Sequence, residues 1–288
     1  MTPRKTESKV VLSTKLDLLK KLLEPIKSAL VAYSGGVDSG FLLTVAHDIL
    51  GDRILAVTSV SPIHPLEEGE WAGIWASRIG VEHLFLSSDE MEDELFLENT
   101  PERCYICKKR MFLKLKAVAE QRGMSVILDG SNSDDLADFR PGTKALREIG
   151  VRSPLQEAGL TKSEIRTLAR QFDLPFWNKP ALACLATRIP YGTRIVPDAL
   201  KRIDNAERFL RDSGFHDVRV RDHDGLARIE LGRKEMPRFL EPKTIQKAVR
   251  QLKSLGYSMV TLDLEGYRTG SLNEMLKRHE SRRRRKAS

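Results

Sequence analysis

The sequence predicts an α/β protein with a doubly wound parallel sheet, followed by a smaller C-terminal α+β domain. Over the first part of the 288 residues, short apolar runs typical of buried strands alternate with stretches of helical periodicity. This alternation indicates βαβ units, in which parallel strands are covered by helices on both faces. Further along the chain, short neighbouring strands are framed by helices, which indicates a second domain of α+β type.

Each element is predicted from local signals. An amphipathic helix starts after Ser13, because leucines recur at helical spacing from Leu16 onward. Thr161 and Glu164 have the spacing of a capping box, and Pro175 ends the helix that follows them. The further predicted helices cover residues 41–50, 66–79, 107–122, 165–172, 199–211 and 245–255. The predicted strands cover residues 29–33, 54–60, 82–86 and 126–129 in the first domain, and 217–221, 227–231 and 259–262 in the second.

These elements divide the chain into five predicted parts. They are an N-terminal tail (1–12), the parallel-sheet domain (13–178), a connecting segment (179–197), the α+β domain (198–276) and a basic tail (277–288). The connecting segment is rich in turn-forming residues, yet it contains Cys184 and Arg188. We therefore expect it to have a functional role.

The net charge of +8 resides at the ends of the chain. Seven basic residues and Glu280 give residues 277–288 a charge of +6, and residues 1–9 contribute +2, so the body is neutral. A nucleic-acid-binding face is expected on a folded surface, so the ends are interpreted as solvated tails and no nucleic-acid partner is expected. No run approaches the roughly 18 apolar residues of a membrane helix, which predicts a cytoplasmic protein without a membrane partner.

A phosphate-binding turn is the strongest local signal. It lies between a predicted strand and a predicted helix and consists of Ser34, Gly35, Gly36, Val37, Asp38 and Ser39. The glycines permit close approach of the backbone, and unpaired N–H groups at a helix start bind anions. Asp38 is a candidate ligand of Mg²⁺. The alternative is an ordinary glycine turn.

A second polar cluster follows the strand predicted at 126–129. It includes Asp129, Asn132 and Asp135. Because the ends of parallel strands meet at one edge of the sheet, we expect this cluster beside the phosphate turn, where carboxylates hold Mg²⁺ against phosphates. Taken alone, the same residues are also typical of a polar surface turn.

Three cysteines form a candidate metal site. Cys104 and Cys107 make a C-x-x-C motif, and Cys184 follows much later in the chain. A structural zinc site needs a fourth ligand, and a dithiol redox pair leaves Cys184 without a role. Three thiolates suit a 4Fe-4S cluster with one open iron that carries a sulfide or a substrate atom. A lone reactive Cys184 and three ordinary buried thiols are the alternatives.

Arginines in the second half of the chain are candidate anion ligands. Arg219 and Arg221 alternate with valines, so both side chains lie on one strand face, and Glu230 comes from the neighbouring strand. Paired guanidinium groups suit a phosphate or a carboxylate, and Arg188 and Arg194 in the connecting segment add to this interpretation. A solvated strand face is the alternative.

Together these motifs resemble one group of enzymes. The hexapeptide at 34–39 is similar to the signature of PP-loop ATP pyrophosphatases, which adenylate a substrate and release pyrophosphate. From Leu16 to Glu274 the chain resembles the LarE family of ATP-dependent sulfur transferases within that superfamily. The segments that carry this resemblance are 129–135, 139–142, 179–192, 218–221 and 227–230.

The resemblance implies a reaction, cofactors and partners. ATP adenylates a carboxylate of pyridinium-3,5-biscarboxylic acid mononucleotide, which becomes a thiocarboxylate for the nickel-pincer cofactor of lactate racemase. ATP and Mg²⁺ are implied, together with an upstream carboxylase, a downstream nickel-insertion protein and a homo-oligomer. In the form of the family with the C-x-x-C, three cysteines hold a 4Fe-4S cluster, which matches Cys104, Cys107 and Cys184. In the other form the cysteine at position 184 gives up its own sulfur.

The resemblance also implies which residues surround the sulfur-transfer centre. These are Cys184, Glu207, Arg219, Arg221 and Glu230.

Other functions remain open from the sequence. A tRNA-thiolating PP-loop enzyme also uses cysteines, but it should show a basic face and a steep salt dependence. An amide-forming ligase gives the three cysteines no role. A nucleotide-sensing or nucleic-acid-tethered scaffold would work through the basic tail at 277–288.

Overall fold

The computed structural model describes residues 3–136, 141–179 and 183–268, which divide into two compact units. Within these residues, the first unit comprises 3–96 and 101–179, and the second comprises 97–100 and 183–268. Three sequence features lie outside the described residues. They are the motif residues 139–140, the motif residues 180–182 and the tail predicted at 277–288.

The first unit contains the predicted parallel sheet. Its strands are β1 (Ala29–Ala32), β2 (Ile54–Val60), β3 (Glu82–Ser87) and β4 (Val126–Leu128), in the spatial order β3-β2-β1-β4. All neighbouring strands run parallel. Because β1 and β4 are neighbours, the loops that follow them leave the same edge of the sheet side by side.

Helices cover both faces of this sheet. In chain order, the helices up to residue 171 are α1 (Pro3–Leu23), α2 (Val37–Leu50), α3 (Leu66–Arg78), α4 (Glu94–Leu97), α5 (Arg103–Gln121), α6 (Pro141–Ile149), α7 (Pro154–Glu157) and α8 (Lys162–Gln171). Ala29 and Val31 belong to a core shared with α1, α2 and α8, whereas Leu30 belongs to a core shared with α5 and α6. Alternate side chains of β1 therefore face opposite helix layers, and the sheet is doubly wound as predicted.

Local signals predict some helix ends better than others. The capping box of Thr161 and Glu164 is present at the start of α8. The predicted helix start after Ser13 is wrong, because α1 begins at Pro3 and Ser13 lies inside it. Leu12 joins the core with Leu19, which extends the apolar face of α1 beyond the predicted helix start. Helices α6 and α7 were not predicted; α6 starts with Pro-Gly, which are poor helix formers, and α7 has only four residues.

The second unit contains a small mixed sheet, in agreement with the predicted α+β domain. Strand β5 (Val218–His223) pairs antiparallel with β6 (Leu226–Leu231), and β6 pairs parallel with β7 (Met259–Leu262). The helices of this unit are α9 (Pro197–Asp212), α10 (Met236–Phe239) and α11 (Pro242–Ser254). Residues of α9 and α11 share a core with alternate residues of β5 and β6. No described helix is long and apolar enough to cross a membrane.

Asn99 fixes part of the predicted connecting segment inside the second unit. Its buried side-chain amide donates hydrogen bonds to the carbonyl oxygens of Pro190 at 2.8 Å, Thr193 at 2.9 Å and Ile189 at 3.3 Å. Its own carbonyl accepts a bond from the Gly192 amide at 3.1 Å. Asn99 also has a left-handed backbone with a φ of 55°. One side chain therefore satisfies the carbonyls of a whole turn.

Replacing Asn99 by alanine is expected to lower the free energy of unfolding by about 2–4 kcal/mol, because buried carbonyls lose their donor. Denaturant unfolding followed by circular dichroism measures this loss. Asp224→Ala is the matched control, since Asp224 has a φ of 53° but is exposed. Equal losses in both variants would show that the left-handed backbone, and not the amide, sets the cost.

Candidate active site

The phosphate turn has the geometry predicted from the sequence. Gly35 has a φ of 75°, and Gly36 is the N-cap of α2 without a side-chain cap. The Ser34 amide donates to the hydroxyl of Ser39 at 3.2 Å, and the two hydroxyl oxygens lie 3.0 Å apart. Since no side chain caps the first amides of α2, these N–H groups can bind an anion.

The second polar cluster meets the phosphate turn, as predicted. A Cβ atom on Gly130 would lie 2.8 Å from the amide nitrogen of Ser39, so only glycine permits this close approach. The Asn132 side-chain amide donates to Oδ2 of Asp38 at 3.3 Å, and the Asn132 backbone amide donates to Asp135 at 3.0 Å. Sequence-predicted residues that lie far apart in the chain are thus brought together.

Asp129 has a structural role within this cluster. Its carboxylate is buried and accepts hydrogen bonds from the hydroxyls of Ser131 and Ser153, each at 2.5 Å. Both carboxylate oxygens are engaged by protein donors. Asp129 therefore orients the loop, whereas Asp38 belongs to the phosphate turn and Asp135 acts on it through its charge.

Two lysines at the phosphate turn were not predicted as site residues. The ammonium group of Lys162 lies 2.5 Å from Oδ2 of Asp38, and that of Lys179 donates to the carbonyl oxygen of Gly35 at 3.1 Å. Lys162 is the first residue of α8, directly after the cap Thr161. The capping box predicts that Lys162 starts a helix. Its contact with Asp38 depends on the tertiary fold and has no local signal in the sequence.

The protonation of Asp38 is controlled by its surroundings. Burial raises the pKa of Asp38, although the charge and hydrogen bond of Lys162 act in the opposite direction, and the charge of Asp135 raises it further. In the described part of the chain, Oδ1 of Asp38 is buried without a hydrogen-bond partner. A cation that prefers oxygen ligands, such as Mg²⁺, would coordinate this atom and stabilise the ionised carboxylate of Asp38. Asp38 and Asp135 therefore fit Mg²⁺ as ligands.

The cysteines occupy both units. Cys104 and Cys107 lie near the start of α5, which begins before the predicted start of this helix. Residues three apart lie on one helix face, so these two thiols suit a shared metal centre. Cys184 is half-buried in the second unit, directly before the 3₁₀ turn Leu185–Arg188. Within the described residues of either unit alone, no group of three or more His, Cys, Asp or Glu side chains is arranged to hold a metal.

A buried cluster of charged residues lies close to Cys184 in the second unit. We call it the guanidinium cluster, and its members are Arg188, Glu207, Arg219, Arg221 and Glu230. Arg219 and Arg221 share one face of β5, as predicted. Arg221 forms a bidentate pair with Glu230, with both distances 2.9 Å, and donates to the Thr187 carbonyl oxygen at 2.7 Å.

Arg188 has a different role from the one predicted. It is 1% exposed and forms a bidentate pair with the fully buried Glu207, at 2.8 and 2.9 Å. Burial disfavours the ionised forms, but the charge of Glu207 raises the pKa of Arg188 and that of Arg188 lowers the pKa of Glu207. Arg188 is therefore engaged by protein groups and does not serve as an open anion ligand.

Three relatives cover most of the chain. An uncharacterized protein of Synechocystis sp. is 41% identical over 92% of this chain and 99% of its own length. The pyridinium-3,5-bisthiocarboxylic acid mononucleotide synthase of Lactiplantibacillus plantarum is 39% identical over 92% of this chain and 96% of its own length. A tRNA-specific 2-thiouridylase of Rickettsia africae is 23% identical over 71% of this chain and 65% of its own length. No model of a protein family matches the chain.

The first unit defines the class of the protein. Its strand β1 belongs to a parallel sheet and leads into the Ser-Gly-Gly-Val-Asp-Ser turn at the start of α2. This arrangement is typical of PP-loop enzymes, and the 2-thiouridylase is a distant relative of this kind. Similarity to the Lactiplantibacillus synthase extends over nearly the whole of both chains. The chain therefore belongs to the LarE family of sulfur transferases, and the resemblance found from the sequence is confirmed.

Proposed function

We propose that the chain is an ATP-dependent sulfur transferase that adenylates a carboxylate of pyridinium-3,5-biscarboxylic acid mononucleotide and converts it to a thiocarboxylate. The observation that carries this proposal is the similarity over nearly full length to a relative named for the bisthiocarboxylic acid product. An upstream carboxylase would supply the substrate, and a nickel-insertion protein would use the product for lactate racemase. The reaction would take place in the cytoplasm.

The first half-reaction uses the phosphate turn. A carboxylate is a poor electrophile. Its oxygen attacks the α-phosphate of ATP, the bond to the β-phosphate breaks, and pyrophosphate leaves. The acyl adenylate that remains has AMP as a good leaving group for the second half-reaction. The amides at the start of α2, with Lys162 and Lys179, would stabilise negative charge on the departing pyrophosphate. Asp38 and Asp135 would hold Mg²⁺, which neutralises charge on the phosphates when it is bound.

Replacing Lys162 by methionine is expected to move the acid limb of pyrophosphate release to higher pH. Asp38 must be ionised to bind Mg²⁺, so activity falls as the pH drops through its raised pKa. Without Lys162 that pKa rises further, and the loss begins at higher pH. Near neutral pH we expect kcat/KM to fall about ten- to a hundredfold.

A pH profile of pyrophosphate release at a fixed Mg²⁺ concentration below saturation measures the effect of Lys162→Met. Lys15→Met is the matched control, because Lys15 pairs with Glu164 of the same helix α8. An unchanged acid limb in Lys162→Met would exclude the proposed coupling between Lys162 and Asp38.

Within the guanidinium cluster, Arg219 would bind the anionic part of the substrate. Arg219 is 8% exposed, and burial lowers its pKa, as do the positive charges of Arg188 and Arg221. Cations that crowd one another are stabilised by an anion between them. Arg219 would therefore hold the phosphate or the second carboxylate of the substrate, while Glu207 and Glu230 orient the neighbouring guanidinium groups.

The second half-reaction transfers sulfur to the acyl adenylate and needs a sulfur nucleophile at or near Cys184. A sulfur nucleophile attacks the acyl carbon, the bond to AMP breaks, and a thiocarboxylate forms. Cys104, Cys107 and Cys184 would hold a 4Fe-4S cluster, whose open iron supplies a site for sulfide when the cluster is bound. The placement of Cys104 and Cys107 one helical turn apart on α5 supports this route over the donation of Cys184's own sulfur.

The proposed substrate is tested by substrate-dependent pyrophosphate release. Purified chain with ATP and Mg²⁺ should release pyrophosphate when the pyridinium biscarboxylate mononucleotide is added. Unmodified tRNA is the comparison substrate, and its binding would weaken steeply with salt. Pyrophosphate release that depends on tRNA, and not on the mononucleotide, would make tRNA thiolation the function instead.

Anaerobic iron and acid-labile sulfide analysis tests the cluster. We expect a cluster in the unchanged chain and its loss after alanine substitution of Cys104, Cys107 or Cys184. If reconstitution yields no iron, the cluster route is excluded. Loss of one sulfur atom from Cys184 during turnover would then establish the sacrificial route.

A further inference from the structure

The guanidinium group of Arg188 makes hydrogen bonds in two directions. One edge pairs with Glu207 on α9. The remaining nitrogen, Nη1, donates to the carbonyl oxygens of Ala183 at 2.7 Å and Cys184 at 3.2 Å, and to the hydroxyl of Thr187 at 2.9 Å. One rigid planar group therefore connects a buried carboxylate with the backbone on both sides of the Cys184 Cα atom.

The carboxylate that anchors Arg188 is itself fixed. Glu207 is fully buried, and its Oε1 atom accepts a hydrogen bond from the Val220 amide of β5 at 3.0 Å. Arg211 lies 3.5 Å from its other oxygen. A continuous set of contacts thus runs from the sheet through Glu207 and Arg188 to the backbone of Cys184.

The opposite end of the same short segment is also fixed. The Thr187 carbonyl oxygen accepts from Arg221, which is paired with Glu230. The Cys184 carbonyl oxygen accepts from the Thr187 amide at 3.0 Å and from the Thr187 hydroxyl at 2.7 Å. The turn Leu185–Arg188 is therefore held by two buried ion pairs, although it is only four residues long.

Buried ion pairs contribute little net stability, because desolvation offsets their attraction, and apolar residues of similar size often replace them without loss. Here two such pairs converge on one backbone segment, and both donate to its carbonyl oxygens. We propose that Arg188 is a positioning residue for sulfur transfer, which together with Glu207 fixes the backbone of Ala183 and Cys184 and so sets the direction of the Cys184 sulfur. This role rests on the proposed function.

Arg188→Met, with Arg188→Lys as the conservative variant, tests the proposal. For Arg188→Met we expect thiocarboxylate formation to slow by about a hundredfold or more, since small displacements of a reacting group are costly. The rate of pyrophosphate release at saturating mononucleotide should stay unchanged, because the residues that would act on ATP belong to the first unit. Lysine keeps the charge but lacks the planar fork, so it should restore only part of the rate.

Arg202→Met is the matched control, since it removes another guanidinium–carboxylate pair of the second unit, with Asp222 at 2.7 Å, that does not contact the turn. This variant also leaves a buried carboxylate without its guanidinium partner, but it should keep its rate of sulfur transfer. A misplaced reacting group should slow the reaction by far more than about threefold. A rate of thiocarboxylate formation in Arg188→Met within about threefold of that of the unchanged chain would therefore overturn the proposal. An equal loss of sulfur transfer in Arg202→Met would overturn it as well.

Hydrogen exchange gives a second readout that needs no substrate. The Thr187 and Ile189 amides, which donate within the turn, should exchange about tenfold faster or more in Arg188→Met, with protection in β5 and β6 preserved. Unchanged exchange in the turn would overturn the positioning role. If the unchanged chain makes no thiocarboxylate, the proposed function fails, whereas the exchange result still decides whether Arg188 fixes the turn.

Discussion

Replacing Cys184 by alanine is expected to lower the rate of thiocarboxylate formation by at least about a thousandfold, while pyrophosphate release continues. The residues that would act on ATP, namely the phosphate turn with Lys162 and Lys179, all belong to the first unit, whereas Cys184 belongs to the second. The variant should therefore release pyrophosphate and hydrolyse the acyl adenylate without incorporating sulfur. Quantification of pyrophosphate and of thiocarboxylate in the same reaction measures both outcomes.

The two other cysteines separate the possible sulfur sources. If a cluster supplies the sulfide, Cys104→Ala and Cys107→Ala lose sulfur transfer as completely as Cys184→Ala. If Cys184 gives up its own sulfur, both variants complete one turnover. Thiocarboxylate formation by Cys184→Ala at the rate of the unchanged chain would contradict either role for this residue.

Asp38→Asn is expected to lower kcat/KM for pyrophosphate release by about a thousandfold or more, because the pyrophosphate site loses an ionised ligand of Mg²⁺. Sulfur transfer should be lost with it, since no acyl adenylate forms. Burial raises the pKa of Asp38, so its charge costs folding free energy at neutral pH. The variant is therefore expected to be as stable as the unchanged chain, or more stable.

Asp48→Asn is the matched control for Asp38→Asn, since Asp48 lies on the same helix α2 but is exposed. It should keep its rate of pyrophosphate release. Steady-state kinetics with varied Mg²⁺ and a denaturant midpoint measure the effects on function and on stability. Removal of the main Mg²⁺ ligand should cause a far larger loss than about tenfold. Pyrophosphate release by Asp38→Asn at more than a tenth of the normal rate would therefore exclude Asp38 as that ligand.

Sequence patterns were sufficient for the sheets of both units. Strands β2 and β7 have the predicted bounds, because their apolar runs are short and end at turn residues. The meeting of Asp38 with Asn132 was also predictable, since their loops follow strands that a parallel sheet places side by side. Periodicity and topology determine these features.

Contacts made by single long side chains could not be predicted in this way. Lys162 and Lys179 reach the phosphate turn from distant parts of the chain, and no local motif marks such a contact. Arg188 was interpreted as an anion ligand because it lies close to Cys184 in the sequence, but tertiary packing buries it against Glu207. A sequence shows that a cation is present, whereas only the fold shows whether a protein carboxylate already pairs with it.

The most direct test of the central claim is mass spectrometry of the nucleotide after anaerobic incubation of the chain with ATP, Mg²⁺, sulfide and the pyridinium biscarboxylate mononucleotide. We predict a product in which sulfur replaces one carboxylate oxygen, formed together with equal amounts of AMP and pyrophosphate. A nucleotide that remains free of sulfur while AMP and pyrophosphate accumulate would contradict the assignment as a sulfur transferase for this substrate.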